Sequence, residues 1–174
     1  MPVELTSFIQ DPIAGSPEVQ QVTRMAQALL SHLCTSEAEA SILAANRPGA
    51  PSQRIQDVFL LFARELGFVD EHEGLFDGYE SAVRPDYFLR LGTTGILLEV
   101  ERGKTTINNM DFLDFWKCHL CEHAHYLFLL VPKELRQNET MSPRREYASV
   151  ARRLAPFFRP RNYTNVRGLF VFGY

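Results

Sequence analysis

No apolar run in the chain approaches the roughly 20 residues needed to cross a bilayer, so no membrane span and no membrane partner are expected. The first residues, Met1-Pro2-Val3-Glu4-Leu5, place no basic segment ahead of an apolar stretch, so no secretory signal is expected. Three cysteines are too few, and odd in number, for a disulfide framework. Cytoplasm is therefore the expected compartment. No GxSxG, HExxH, P-loop or dinucleotide glycine fingerprint occurs, so the commonest motif-borne chemistries have no foothold. Internal repeats and low-complexity tracts are missing too.

What is present reads as a globular chain. At 174 residues, 45% hydrophobic and 22% charged, it is long enough to bury a core of its own. Residues 1–50 are expected as a helical extension packed on a core of residues 51–174. The net charge of −3 conceals an asymmetry. Residues 1–80 carry 4 basic and 12 acidic side chains, whereas residues 81–174 carry 14 and 9. Between 144 and 167 stand seven arginines and a single acid, Glu146. A charge run is most often a solvated helix face. The guanidinium fork also matches phosphate oxygens, so Arg144, Arg145, Arg152 and Arg153 are the candidate nucleic-acid contacts.

Along the chain, residues 1–17 read as an irregular lead-in, broken by Pro2, Pro12 and Gly15. Ser16 caps a helix to about Leu33 with Pro17 at its first position, and Ser36 to Ala45 forms a second. Ser52 caps a helix to about Leu66, with a stripe of Ile55, Val58, Phe59, Phe62 and Leu66. A weak strand falls within 67–76. Tyr87–Leu91 and Gly95–Val100 flank the turn Gly92-Thr93-Thr94 and predict a hairpin. Asn108 or Asn109 caps a helix to about Cys121, whose wide apolar face holds Met110, Phe112, Leu113, Phe115, Trp116 and Leu120. His125–Val131 is apolar enough for an interior strand. Ser142-Pro143 opens a helix to about Phe157, and Leu169–Phe172 is the final strand. Cys118 and Cys121 share a helix face but lack a visible second ligand pair, so buried thiols are expected in place of zinc.

The hairpin concentrates the chemistry. Side chains alternate along a strand, so Glu99 and Glu101 share a face and Val100 points the other way. Hairpin pairing brings Asp86, at the start of the first strand, beside them. Two like charges about 4 Å apart repel by roughly 4 kcal/mol at an effective dielectric near 20. A divalent cation or a shared proton removes that cost, although acids at a strand end can also simply be solvated. All-oxygen donors favour Mg²⁺, Mn²⁺ or Ca²⁺ over zinc.

Pro85-Asp86, twelve further residues and then Glu99-Val100-Glu101 after an apolar strand resemble the PD-(D/E)xK signature of restriction-endonuclease-like nucleases. The order of elements from residue 52 is also similar over about two thirds of the chain. The resemblance implies an α/β fold, a central mixed sheet flanked by helices with the core order α-β-β-β-α-β-α-β. It implies Mg²⁺- or Mn²⁺-dependent hydrolysis of nucleic acid, DNA foremost, and leaves a homodimer open. Asp86 and Glu99 would hold the metal. The third position is usually Lys; here it is Glu101, which would act as base or further metal ligand. Lys104 would supply the missing positive charge. A carboxylate of the first core helix joins the metal in many relatives, and Glu65 or Asp57 is the candidate. Arg102 and Lys117 would meet phosphate. The rival reading is a catalytically inactive nuclease-like binding or regulatory module, and the absent Lys speaks for it.

Overall fold

The computed structural model describes residues 2–46, 53–70, 76, 84–103, 105–135 and 142–174. Its strands are β1 (Glu4–Ile9), β2 (Val69–Asp70), β3 (Tyr87–Leu91), β4 (Thr94–Val100), β5 (Tyr126–Val131) and β6 (Gly168–Gly173). Its α-helices are α1 (Pro17–Leu33), α2 (Ser36–Ala45), α3 (Gln53–Glu65), α4 (Met110–Leu120) and α5 (Glu146–Leu154). The strands form one mixed sheet in the order β1-β6-β5-β4-β3-β2. β4, β5 and β6 run parallel, and both flanks are antiparallel. From α3 onward the element order is the expected one. Among the described residues no helix is long and apolar enough to cross a membrane.

Alternation along the strands builds two cores. Ile96, Leu98, Tyr126, Phe128, Leu130, Phe170 and Phe172 face α1, α2 and α3. Leu97, Leu127, Leu129, Leu169 and Val171 face α4 and α5. β5 is buried along its whole length because helices cover both faces. Each fully buried large apolar side chain contributes about 1.5–3 kcal/mol. A one-residue slip of β4 would exchange Leu98 for Glu99 in the first core, so burial fixes the register.

The hairpin closes through Gly92, whose φ of 58° begins a two-residue turn between Leu91 and Thr94. Thr93 has negative φ, the II′ pattern that needs glycine first. Gly95 is required by proximity: a Cβ there would lie 2.5 Å from the Phe88 ring and 2.6 Å from the Leu89 carbonyl oxygen.

Four expectations are corrected. Residues 4–9 are not irregular but form β1, which pairs with β6 over six residues. Asn109 does stand before α4, but it has φ of 55° and its side chain does not cap the helix; its Oδ1 accepts from Arg153 Nη2 at 2.6 Å. α5 begins at Glu146, later than Ser142-Pro143 suggests, because Arg144 is held extended in a β-bridge to Leu135. α4 buries only part of its expected apolar face: Phe115 is in the core and Phe112 packs against it, but the helix is rotated toward its acids. Asp111, Asp114, Phe115 and Cys118 are buried, whereas Leu113, Trp116 and Leu120 are 51%, 44% and 52% exposed. The buried acids are paid for by partners: Asp111 pairs with Arg153 at 2.8 Å and Asp114 with Lys117 at 2.9 Å.

The Ser16 cap forms as expected, with Val19 N donating to Ser16 Oγ at 3.2 Å. The weak strand shrinks to β2, and the Ser52 cap lies outside the described residues.

Candidate active site

The site forms where β3 begins and β4 ends. Tyr87 pairs with Leu98, so Asp86, one residue earlier, falls beside Glu99. Val100 N donates to Asp86 Oδ2 at 2.8 Å, and Asp86 N donates to Glu99 Oε2 at 3.3 Å. Val100 itself points into the first core, so Glu99 and Glu101 share the opposite face, as alternation requires. Glu101 N continues the ladder by donating to Leu130 O at 2.8 Å, and Tyr174 Oη donates to Glu101 O at 2.5 Å.

Helices supply the rest. α4 lays Asp114 and Lys117, three residues apart, over the strand end. Lys117 Nζ donates to Glu99 Oε1 at 3.1 Å and lies 2.9 Å from Asp114 Oδ1. The Asp114 and Asp86 charges also act on the Glu101 carboxyl. From α3, Gln56 Nε2 donates to Asp86 Oδ1 at 3.3 Å.

Four carboxyls therefore gather beside one ammonium, and the proton affinities of three of them shift. Glu99 is 2% exposed; burial, then the Asp114 charge, push its carboxyl well above the usual range against the pull of Lys117. Burial, with Asp114 and Asp86 adding to it, lifts Glu101 to about 8. Burial also raises Asp114, although Lys117 opposes the rise. Burial would lower Lys117, but Glu99 and Asp114 outweigh it and hold the ammonium above its ordinary value. Among the described residues no group of three or more His, Cys, Asp or Glu side chains is arranged to hold a metal ion. Lys117 already takes one oxygen each of Glu99 and Asp114.

The loop from 105 to 109, which leads into α4, is fastened from α5. The buried Glu146 accepts from Thr106 N at 3.1 Å and Thr106 Oγ1 at 2.8 Å. Arg153 pairs with Asp111 and lies 4.4 Å over the Phe112 ring.

The structure thus brings Asp86, Glu99, Glu101 and Lys117 together. Lys104 lies outside the described residues. Glu65 is exposed at the end of α3 and is not the helix residue at the cluster; Gln56 is. Nine residues at about 1.5 Å each put Glu65 roughly 13 Å further along the axis. Asp57 is exposed and accepts from Gln53 at 3.0 Å. Arg144, Arg145 and Arg152 are exposed, whereas Arg153 is engaged within the fold. Arg102 is half-buried and acts electrostatically on Tyr174. The Cys118 thiol is buried and donates to the Ala124 carbonyl at 3.8 Å. Sequence reasoning missed Asp114 and Gln56. The signal for Asp114 was a charged residue in register with Phe115 and Cys118 on one helix face; Gln56 left none.

No family model matches the chain, and no curated protein matches it. Among solved structures it is similar to the restriction endonuclease BglII in complex with a DNA 16-mer. That match has 12% identity and a TM-score of 0.45, covering 99% of this chain and 78% of the other. A likeness at that level carries no argument about what this chain does.

Proposed function

We propose that the chain is a divalent-metal-dependent nuclease that hydrolyses phosphodiester bonds, with DNA the foremost substrate. The observation that carries this reading is the cluster at the end of β4, where Asp86, Glu99, Glu101 and Asp114 gather and Lys117 pairs with Glu99 and Asp114. The donor atoms are all carboxyl oxygens, the kind a hard cation takes, and burial first, then neighbouring acids, holds three of the carboxyls above their usual range, so a bound cation would displace protons there. Asp86 and Glu99 would hold Mg²⁺ or Mn²⁺, with Glu101 as a further ligand or as the base. When bound, such an ion polarises a phosphoryl oxygen and lowers the pKa of an attacking water.

The chain's own groups have defined tasks. Val100 N and Gln56 Nε2 orient the Asp86 carboxylate. Glu101, titrating at about 8, takes or gives a proton near neutral pH. The Lys117 ammonium, with Lys104 as a second candidate, offsets negative charge developing on the phosphoryl group. Arg102, Arg144, Arg145 and Arg152 would meet the phosphate backbone. Arg153 acts indirectly by holding the 105–109 loop.

A second reading, the non-catalytic binding module, is favoured by one observation: Lys117 already partners Glu99 and Asp114 without a metal. Plasmid and oligonucleotide cleavage with Mg²⁺ or Mn²⁺ separates the two. Cleavage by the wild type, lost with chelator and in Asp86→Ala, supports the nuclease. No cleavage, or equal cleavage by both proteins, defeats it.

A further inference from the structure

The opposite end of the sheet carries a groove that the proposed chemistry does not use. β4, β5 and β6 run parallel, so the acids at the end of β4 lie opposite the end where Tyr126 and Gly168 begin β5 and β6. There the 159–165 loop, the last turn of α4 and the segment after β1 enclose about 530 Å³. The groove is firmly built. His119 Nδ1 lies 3.1 Å from Thr164 Oγ1 and accepts from Asn165 N at 3.2 Å, while Asn165 Nδ2 donates to His119 O at 2.9 Å. Gln10 Nε2 donates to the carbonyls of Thr164 at 2.8 Å and Val166 at 2.9 Å.

This fastened loop displays groups that gain nothing from the fold. Tyr163 is 93% exposed, an unusual position for a large aromatic ring. Arg159 and Arg161 are exposed beside it, and Arg161 has φ of 75°, a left-handed conformation that non-glycine residues rarely adopt. Residues 147–174 contain no Asp or Glu, and Asp11 is the acid lining the groove. Trp116 meets His119 edge-on at 4.9 Å, which extends the aromatic surface along α4 toward Lys117.

We propose that this groove binds a single-stranded nucleic-acid segment, with a base stacked on Tyr163 and phosphates on Arg159 and Arg161. Aromatic platforms interleaved with guanidinium groups are the chemistry that holds unpaired strands. The inference rests on the nucleic-acid reading of the chain but not on its catalysis.

The test is fluorescence anisotropy in chelator with labelled oligothymidylate and oligouridylate of about 12 nucleotides, the two arms distinguishing DNA from RNA. The wild type is expected to bind at least one of them. Tyr163→Ala should weaken that binding about tenfold. Arg161→Gly relaxes the backbone, so thermal stability should hold or rise while the log–log salt slope becomes shallower by about 0.7. A blunt duplex should be indifferent to Tyr163→Ala, because its bases are already stacked. Binding of neither oligonucleotide, or unchanged affinity in both variants, overturns the proposal. Absent cleavage with Tyr163-dependent binding sinks the hydrolase reading alone; intact cleavage with unchanged binding in both variants sinks the groove alone.

Discussion

Lys117 serves Glu99 and Asp114 at once, and losing the ammonium would take the cationic partner from two buried acids together. Lys117→Met should therefore destabilise the fold by up to about 3 kcal/mol, a figure discounted because the lysine is 26% exposed. Glu101 gives the pH dependence its sign. Its folded pKa, about 8, stands above the ordinary value of 4.5, so the folded state holds the proton more tightly. Its contribution is full below 4.5 and is lost as pH rises through about 8. Glu101→Gln should thus leave Tm unchanged near pH 4.5 and raise it at pH 8 or above, checked by melts across that range; an unchanged profile would remove Glu101 as the titrating group. The sequence shows Asp86, Glu99 and Glu101 because hairpin pairing is local arithmetic. Asp114 and Gln56 arrive on helices whose docking is decided by tertiary packing, which no spacing rule reports.

α4 shows how an element can contradict its own pattern. Its apolar residues outnumber its polar ones on the face expected inward, yet Leu113, Trp116 and Leu120 look out while Asp111 and Asp114 look in. Two ion pairs and the Glu146 clasp on Thr106 outweigh the burial that the opposite orientation would have gained. Replacing Leu113 and Leu120 together by Gln should shift stability by no more than about 0.5 kcal/mol per site. Asp111→Ala, which leaves the buried Arg153 Nε without its acceptor while Nη1 and Nη2 keep Thr106 O and Asn109 Oδ1, should cost about 1–3 kcal/mol. Denaturant titration of the two proteins checks the contrast, and a larger loss in the Leu variant would mean that Leu113 and Leu120 are buried after all. Elsewhere local signals hold. β5 is a buried run between turn residues, and Ser16-Pro17 starts α1 where a cap and a proline say it should. β1 escaped notice because Pro2 and Pro12 bracket it, and its alternation is weak at an edge where only one partner strand lies alongside.

At the scale of the whole molecule, one carboxylate adds a polar tie to the apolar packing of α1 on the sheet. Glu18 Oε1 accepts from Tyr126 Oη at 2.6 Å and from Arg167 Nη1 at 2.8 Å. Burial alone would raise the Glu18 carboxyl, but these two hydrogen bonds overcome it and hold the pKa below 4.5. The clasp thus stabilises above 4.5 and fades as pH falls through the lowered value. Glu18→Gln should lower Tm slightly at pH 7, by well under about 1 kcal/mol because both partners are about a third exposed, and the difference should shrink as the melts are taken down through the acid range below 4.5. Equal losses across that range would assign the effect to packing. The order of elements from α3 to β6 was legible, since each boundary carries a proline, a glycine or a change of hydrophobic period. The sixth strand was not, because β1 depends on a partner remote in sequence. That remoteness has a consequence in time. A separation of 169 residues divides Glu4 from its partner Gly173. At a synthesis rate of about 5–20 residues per second, β1 leaves the ribosome roughly 10–30 seconds before β6 exists. The β3–β4 hairpin can form as it emerges, whereas Leu5, Phe8 and Ile9 must wait unpaired, and for that interval the nascent chain offers a strand edge to whatever meets it first.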